Sequence, residues 1–466
     1  MSQETNSIGR RQFVKLGAGV LGLSAFGSSV VAAESSERYI VKRRGNKSID
    51  AEVLHDLPEI GYAVVRASET ELEQSTAVAS FAPDIELEIS NPVEEADPQD
   101  SEALDDTYYP YQWDKQDLEI PTAHETTRGE GTRIAIIDSG VDNTHPDLDV
   151  NVADSKDFTG DGLGAGVPGG GDHGTHVAGI AAASTEGSTG VAGTAPGADL
   201  LDFRVFSNFG GTNGAFSIVV AAVVEAVRTD CDVANLSLGA YPIPRKGLGS
   251  FYGGVLNKTM NYAQKEGTLV VASAGNDASD LQSDTGNEID IDGDGELETL
   301  EGGGWISLPN EAAGVVSVSA TGPTGYAGAL FEGQPLATPA ESPAFYTNYG
   351  TNAVDIAAPG GDADLTMTDP VGGVPAYAYD FVFSTVTTVV TDDDGNYEET
   401  VPGYGWKAGT SMAAPNVTGA AALVKSNNPD YNANQVRAAL ENAAEVPDGY
   451  DKTYYGSGYL NVLDAL

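Results

Sequence analysis

Short, almost continuously apolar runs alternate with helix-like stretches between residues 107 and 466, and this alternation constrains the fold most strongly. The apolar runs predict strands at 133–138, 200–205, 233–238, 269–273 and 315–319. Stretches rich in small or apolar residues predict helices at 173–183, 218–227 and 411–425. Strands that are apolar on both faces indicate a mostly parallel sheet with helices on each side. The prediction is an α/β fold.

The first hundred residues divide into three predicted segments. Residues 1–33 join a charged start containing Arg10 and Arg11 to a mildly apolar stretch, which is typical of a twin-arginine export signal. Residues 38–90 predict a small α+β unit with strands near 39–41 and 60–65, a helix at 69–80 and an edge strand at 85–89. The acidic, proline-containing stretch 91–106 predicts an exposed linker, where we place a processing boundary. Acidic, glycine-rich stretches at about 277–304 and 361–405 predict surface insertions in the domain that follows, 107–466.

The charge of this chain is unusual in sign rather than in amount. Only 20% of residues are charged, but 69 are acidic and 23 basic, for a net charge of −46. Such a surface repels nucleic acid and anionic membranes, so neither is an expected partner. At about 1 M salt the Debye length falls to roughly 3 Å and screens much of the self-repulsion. We therefore hypothesise a protein adapted to molar salt, with an acidic protein from an ordinary medium as the alternative.

Cys231 is the single cysteine, so no disulfide can form within the chain. It lies in the apolar run CDVANLSLG, which favours a buried core position over a nucleophile. After the export signal, no segment is apolar for the roughly 18 residues that a membrane span needs. We expect a protein without a stable membrane anchor and, by default, a monomer.

Three short motifs indicate nucleophilic catalysis. Asp138 ends the apolar strand IAIID, His173 begins the helix of HGTHVAG, and Ser411 begins the helix of GTSMAAP. Serine needs a neighbouring base to remove its proton, and the base needs a carboxylate to hold its tautomer. Each residue alone could be a cap or a structural group, but their joint occurrence predicts a triad. His176, one helical turn after His173, is expected to be structural.

The segments IAIIDSGVDNTHPDL, HGTHVAGI, NLSLG, SAGN and GTSMAAPNVTG resemble the landmark motifs of the subtilisin-like serine proteases (subtilases). The chain order Asp, His, Ser is that of subtilisin, and the acidity and the twin-arginine signal resemble the halolysin-like branch of halophilic archaea. The resemblance implies a subtilisin-like three-layer fold and a serine endopeptidase acting on proteins and peptides. It also implies an inhibitory prosegment over 34–106 and an oxyanion-binding role for Asn276 together with the Ser411 N–H.

Peptide substrates are expected to bind as an added strand. By resemblance, the residues flanking that strand and the wall of the pocket for the residue before the scissile bond are Gly210, Gly211, Ser237, Leu238, Gly239, Ala274 and Gly275. Asp277 could favour a basic side chain in that pocket, with a solvated loop position as the alternative.

A calcium loop is predicted inside the first insertion. Residues 290–301 match D-x-D-x-D-G-x5-E, which supplies carboxylates from Asp290, Asp292, Asp294 and Glu301, with Glu296 at the carbonyl position. The resemblance implies a second calcium ligand, Asp147, working with carbonyl groups near 185–191. Structural Ca²⁺ is therefore the expected cofactor.

Two other functions remain open from the sequence. A sedolisin-like protease also carries a GTS motif, although His173 and Asn276 oppose it. The chain could also be an inactive surface or binding protein that kept the fold. An α/β-hydrolase esterase is disfavoured because the sequence has no G-x-S-x-G elbow.

Overall fold

The computed structural model describes residues 38–45, 47–89, 94–96, 108–185, 190–246, 248–283, 285–289, 298–300 and 304–466. The predicted export signal lies outside these residues. Within them, no helix is long and apolar enough to cross a membrane.

The strands are, in chain order, β1 (Arg38–Arg43), β2 (Glu52–Leu57), β3 (Tyr62–Arg66), β4 (Val78–Pro83), β5 (Glu88–Ile89), β6 (Glu94–Ala96), β7 (Arg133–Asp138), β8 (Lys156–Asp157), β9 (Asp199–Arg204), β10 (Val233–Leu236), β11 (Leu238–Pro244), β12 (Leu269–Ser273), β13 (Glu288–Ile289), β14 (Glu298–Thr299), β15 (Trp305–Leu308), β16 (Val315–Thr321), β17 (Ile356–Pro359), β18 (Pro370–Val371), β19 (Val374–Pro375), β20 (Val382–Thr391) and β21 (Tyr397–Ala408). The helices are α1 (Glu69–Gln74), α2 (Trp113–Asp117), α3 (Ile120–Ala123), α4 (His173–Ala182), α5 (Phe216–Arg228), α6 (Leu248–Glu266), α7 (Tyr326–Glu332), α8 (Thr410–Asn427), α9 (Ala433–Ala443), α10 (Lys452–Tyr455) and α11 (Val462–Ala465), with 3₁₀ turns at Tyr109–Tyr111 and Ala376–Asp380.

A parallel sheet forms the centre of the molecule. Its seven described strands run in the order β17–β16–β12–β10–β7–β9–β8, and every neighbouring pair is parallel. In β7, Ile134 and Ile136 join the apolar cluster that contains α4 and α8. Ala135 and Ile137 join the opposite cluster, which contains α5 and α6. Alternate side chains are thus buried on both faces, and the predicted three-layer subtilisin-like architecture is confirmed.

The N-terminal unit, predicted above as part of a prosegment, forms a four-stranded antiparallel sheet, β2–β3–β1–β4, which packs on α5 and α6. Asp84 lies at the contact, where its carboxylate accepts the Ser217 N–H at 3.0 Å in the first turn of α5 and also accepts the Ser217 hydroxyl. The Tyr252 hydroxyl of α6 donates to the Pro83 carbonyl at 2.8 Å. The predicted helix 69–80 is wrong in its second half, because α1 ends at Gln74 and Val78–Pro83 pairs with β1.

The predicted surface insertion 361–405 is also wrong in part. Its second half forms the β20–β21 hairpin, whose inner residues are buried from Phe381 to Val386. The hydroxyls of Ser384 and Thr385 donate to carbonyls of α4, at 3.1 Å to His176 and 2.7 Å to Thr175. The hairpin therefore completes the layer around the helix that begins with His173.

Candidate active site

Asp138 and His173 meet at the carboxyl edge of the central sheet, as the sequence predicted. Asp138 ends β7, and its Oδ1 lies 2.8 Å from His173 Nδ1 and accepts the Ser139 N–H at 2.6 Å. Ligands bind at this edge of open α/β sheets, near the point where strand order reverses. Here β9 and β8 lie on one side of β7, and β10 lies on the other. The hydrogen bond to the buried carboxylate holds the imidazole in one orientation.

His173 is the first residue of α4, and close backbone packing holds that turn against the sheet. A side chain at Gly174 would put its Cβ 2.6 Å from the Gly140 carbonyl and 3.2 Å from Asp138 Cβ, so only glycine fits there. The Gly174 N–H donates to Ser139 Oγ at 2.8 Å. His173 Nε2 is buried and has no hydrogen-bond partner among the described residues. That nitrogen is available to a nearby hydroxyl.

His176 is structural, as predicted. It is fully buried, and its Nε2 lies 3.3 Å from the Gly405 carbonyl. Burial, with the positive charge of Lys407 as the next cause, holds the His176 pKa well below its usual range. Lys407 itself forms an ion pair with Asp172, the residue before His173, at 3.0 Å. This pair links the start of α4 to the strand that leads into α8.

Ser411 lies in the first turn of α8 and is fully buried. Its Oγ donates to the Ser237 carbonyl at 3.4 Å, and Ser237 Oγ donates to the Ser411 carbonyl at 2.9 Å. Pro415, four residues on, has no N–H to bond that carbonyl within the helix. Ser237 therefore satisfies a group that the proline leaves open, and it ties the start of α8 to the end of β10.

Asn276 follows β12 and faces the same helix start. Its Oδ1 accepts two hydrogen bonds from Thr410, from the N–H at 2.9 Å and from Oγ1 at 2.8 Å. Because the carbonyl oxygen is held by Thr410, the amide NH₂ of Asn276 is oriented away from it as a donor. That arrangement suits stabilisation of an oxyanion formed at Ser411.

Among the predicted substrate residues, Leu238 and Gly239 lie in strand β11, whereas Gly210 and Gly211 lie in a loop. Leu238 and Gly239 pair antiparallel with Ile89 and Glu88 of β5. The other backbone hydrogen bond to this segment is made by Gly214, which was not among the predicted residues. Its carbonyl accepts the Leu87 N–H at 2.6 Å. Gly210 and Gly211 lie earlier in that loop, which is fixed where the Thr212 N–H donates to the Thr159 carbonyl at 2.8 Å.

Ala274 and Gly275 form a rigid wall beside Asn276. The buried Asn348 side chain donates to the Ala274 carbonyl at 3.0 Å, and the Gly275 N–H donates to Thr410 Oγ1 at 3.1 Å. Asn348 also binds the Asp277 side chain at 2.9 Å. Asp277 is exposed and held by this amide, which favours a solvated loop position over a role in the substrate pocket.

The predicted calcium site at Asp147 includes carbonyl groups near 185–191, of which residues 186–189 lie outside the described residues. The buried Asp147 carboxylate accepts the Val191 N–H at 2.9 Å, and the Tyr404 hydroxyl also hydrogen-bonds to it. Each carboxylate oxygen keeps a further lone pair beside such a hydrogen bond, so the role of Asp147 as a calcium ligand stays a prediction. Within the described ranges no three His, Cys, Asp or Glu residues cluster to hold a metal ion. Asp290, Asp292, Asp294, Glu296 and Glu301 lie outside the described residues.

Sequence reasoning missed several residues that organise the site. Thr410 was inside a recognised motif, but its role depends on a contact with Asn276, 134 positions away. Lys115 is buried and donates to the Ile180 carbonyl of α4 at 3.0 Å and to Asn416 of α8 at 2.5 Å. No local signal distinguishes this lysine, because a buried cation is recognised only from its surroundings.

Comparison with known proteins agrees with this geometry. Residues 129–458 match the model of the Subtilase family (Peptidase_S8). The chain belongs to the subtilase family. It is 32% identical over 363 residues to a thermophilic serine proteinase of Bacillus sp. (strain AK1), covering 78% of this chain and 68% of that protein. It is 30% identical over 355 residues to thermitase of Thermoactinomyces vulgaris, covering 76% and 95%.

Solved structures support the fold. The epidermin leader peptide processing serine protease of Staphylococcus aureus matches with a TM-score of 0.67 at 22% identity, covering 92% of this chain and 97% of that one. At that identity the likeness concerns the fold alone.

This subtilase is therefore a serine endopeptidase that acts on peptide bonds. The inactive binding protein and the sedolisin-like protease are not favoured. Cys231 is a core residue, as predicted: it is buried, and burial raises its pKa to about 12.

Proposed function

We propose that this subtilase uses Asp138, His173 and Ser411 as its catalytic triad. The observation that carries the proposal is the 2.8 Å hydrogen bond between His173 Nδ1 and Asp138 Oδ1. It leaves the buried Nε2 of His173 as the only ring nitrogen that can serve as a base. The packing of α4 against α8 supports the same assignment, because His173 is the first residue of α4 and Ser411 is the second residue of α8.

In the proposed reaction, Ser411 Oγ attacks the carbonyl carbon of the scissile bond while His173 Nε2 takes its proton. Asp138 holds the imidazole and stabilises the imidazolium. The oxyanion receives hydrogen bonds from the Asn276 amide and the Ser411 N–H. His173 then returns the proton to the leaving amine, and water hydrolyses the acyl-enzyme by the reverse sequence of proton transfers.

Labelling with a fluorophosphonate tests this assignment. The adduct should map to Ser411 in the wild-type protein, and Ser411→Ala should lose both labelling and peptidase activity. The exposed Ser283, changed to alanine, is the matched control and should keep both. An adduct on another residue, or activity retained by Ser411→Ala, would show that the triad is wrongly assigned.

We also propose that the protein is made as a zymogen that removes its own prosegment, with the prosegment acting first as intramolecular inhibitor. Support comes from the pairing of Glu88–Ile89 with Leu238–Gly239, the strand next to Ser237. A chain held there excludes other peptides. The full-length Ser411→Ala precursor should therefore remain uncut during expression in a host lacking other proteases.

Export and salt adaptation complete the proposal. The chain is proposed to be secreted by the twin-arginine route, to work as a monomer without a membrane anchor, and to belong to the halolysin-like branch. Replacing Arg10 and Arg11 by lysine should retain the precursor in the cell. The net charge of −46 supports function in molar salt. Unchanged activity and fold after dialysis into low salt would contradict that adaptation.

Residues 290–301 remain the proposed calcium loop. Their carboxylates are the hard oxygen ligands that Ca²⁺ prefers. The described residues on either side support a closed loop, because Ile289 of β13 pairs with Glu298 of β14. The base of the loop is anchored next to the substrate groove, where Asn287 donates to the Tyr241 hydroxyl at 2.7 Å. The proposed role of the ion is structural, to order the wall that carries Asn276.

A further inference from the structure

An ion pair joins the segment that carries the proposed base to the segment that carries the proposed nucleophile. Lys407 Nζ lies 3.0 Å from Asp172 Oδ2. Asp172 is the residue directly before His173, and Lys407 is four residues before Ser411. The Lys407 side chain is 4% exposed and that of Asp172 is 28% exposed. The pair therefore bridges the two helix starts from a site that is largely shielded from solvent.

The Asp172 carboxylate makes this cross-link instead of capping its own helix. Aspartate is favoured directly before a helix because its side chain can accept an N–H of the first turn. Asp172 occupies that position before α4, yet its side chain makes no capping hydrogen bond. It reaches Lys407 of β21 instead. The local sequence predicts a helix cap, and the structure shows a contact between two distant segments.

The proposed base and nucleophile are anchored on different strands of the sheet. His173 is held by Asp138 at the end of β7. The start of α8 is held by Ser237, after β10, and by Asn276, after β12. A general base must lie within about 2.6–3.2 Å of the group whose proton it takes. Each of these anchors fixes one reacting group, so a further connection is needed to fix the distance between the two.

The β20–β21 hairpin provides that connection. Two hydroxyls of β20 donate to carbonyls in the first turn of α4, at 3.1 and 2.7 Å. Val382 of β20 faces Lys407 of β21 in antiparallel register, and β21 leads into α8. The Asp172–Lys407 pair adds a second link, from β21 back to the residue before α4. The hairpin is thus attached to the base helix through both of its strands.

The pair is also electrically balanced. The charge of Lys407 reaches α4, where it is the second cause, after burial, of the low pKa of His176. A buried positive charge at this place opposes the imidazolium that His173 forms during the reaction. The Asp172 carboxylate offsets that charge at 3.0 Å. Because Lys407 is almost completely buried, molar salt screens the pair much less than it screens an exposed one.

We propose that Asp172 and Lys407 are positioning residues, which act as a pair to set the separation between His173 Nε2 and Ser411 Oγ. The inference rests on the proposed triad. Neither residue needs to contact the substrate, so loss of the pair should lower kcat and leave KM little changed. Small displacements of reacting groups are enough for this, since a misplacement of about 1 Å can cost about 100-fold in rate.

The experiment is a double-mutant cycle with Lys407→Met, Asp172→Asn and the double variant. Steady-state hydrolysis of a chromogenic peptide amide is measured in molar salt, with active enzyme counted by fluorophosphonate titration. We expect each single variant to lose about tenfold in kcat with KM within about twofold. The double variant should also lose about tenfold, because the two residues act as a unit. If the two residues acted independently, the losses would multiply to about 100-fold.

Two further variants separate positioning from stability. Asp172→Glu keeps the carboxylate at a site with access to solvent, so its kcat should stay within about threefold of wild type, and it keeps the test valid if Asp172→Asn does not fold. Lys425→Met is the matched control at the other end of α8. Lys425 lies 3.8 Å from Asp232, is 23% exposed and donates to two carbonyls beyond the helix. This control should lower the unfolding temperature and leave kcat unchanged.

The outcomes distinguish this inference from the triad on which it rests. Unchanged kcat in both single variants, a loss confined to KM, or a double variant with multiplied losses would overturn the positioning role while the triad stands. A loss of kcat in Lys425→Met as large as in Lys407→Met would also overturn it, because general destabilisation would then explain both. Peptidase activity retained by Ser411→Ala would instead refute the triad itself.

Discussion

Thr410 offers the sharpest test of how the oxyanion donor is held. Its backbone N–H and Oγ1 both donate to Asn276 Oδ1, at 2.9 and 2.8 Å, and its Oγ1 also accepts the Gly275 N–H at 3.1 Å. Thr410→Val keeps the shape of the side chain but removes the hydroxyl. Asn276 Oδ1 then keeps one of its two hydrogen bonds from Thr410, and the Gly275 N–H loses its acceptor.

The expected size of the effect follows from these bonds. A neutral hydrogen bond is worth about 0.5–1.5 kcal/mol, and about 1.4 kcal/mol corresponds to a tenfold change in rate. We therefore expect kcat of Thr410→Val to fall up to about tenfold with KM little changed. Asn276→Ala, which removes the donor itself, should lower kcat by about 100- to 1000-fold. That larger magnitude is taken from subtilisin, where removal of an oxyanion donor has this effect.

The assay is steady-state hydrolysis of a chromogenic peptide amide, with active enzyme counted by fluorophosphonate titration. Thr410→Ser is the matched control, because it restores the hydroxyl and should stay within about twofold of wild type. An unchanged kcat in Thr410→Val would refute the positioning role of the hydroxyl. A loss confined to KM in Asn276→Ala would refute the assignment of that residue to the oxyanion.

Three further predictions concern the prosegment and the calcium loop. In the uncut Ser411→Ala precursor, Asp84→Ala should weaken docking of the proposed prosegment by about 1 kcal/mol, because it removes the carboxylate that accepts the Ser217 N–H at the start of α5. Glu86 is exposed, so Glu86→Ala should leave docking unchanged. Chemical unfolding of the two precursors measures the difference. Burial lowers the pKa of His55 from 6.5 to about 4, so the contribution of the neutral ring to docking is complete above pH 6.5, and the stability that is lost grows as the pH falls from 6.5 to about 4. At pH 5 the lost docking stability amounts to about 2 kcal/mol. A His55→Gln precursor lacks this titrating ring and should lose less docking stability than the wild type between pH 7 and 5. An equal loss in the two precursors would contradict the role of His55. Chelation of calcium in molar salt should lower kcat before it lowers the unfolding temperature, and an intact kcat would exclude a role for 290–301 in ordering the oxyanion wall.

Periodicity located the elements of the central sheet because they are buried on both faces. The predicted strands 133–138 and 269–273 coincide with β7 and β12, since an apolar run is a local property of the chain. The helix predicted at 69–80 is wrong in its second half, because the structure of that part depends on a distant segment. Residues 78–83 look compatible with a helix locally, but their backbone groups pair with β1, and only the tertiary structure supplies that partner.

By itself, the sequence determined the class of chemistry and predicted its three principal residues, because Asp138, His173 and Ser411 lie in motifs whose spacing follows strand ends and helix starts. The tertiary structure decided how those residues are held and where the chain meets them. The Thr410–Asn276 bonds and the alignment of Ile89 with Leu238 join positions more than a hundred residues apart. Hydrogen bonds of this range depend on the register between segments. No local pattern specifies that register, because it is set when packed elements bring distant backbone groups together.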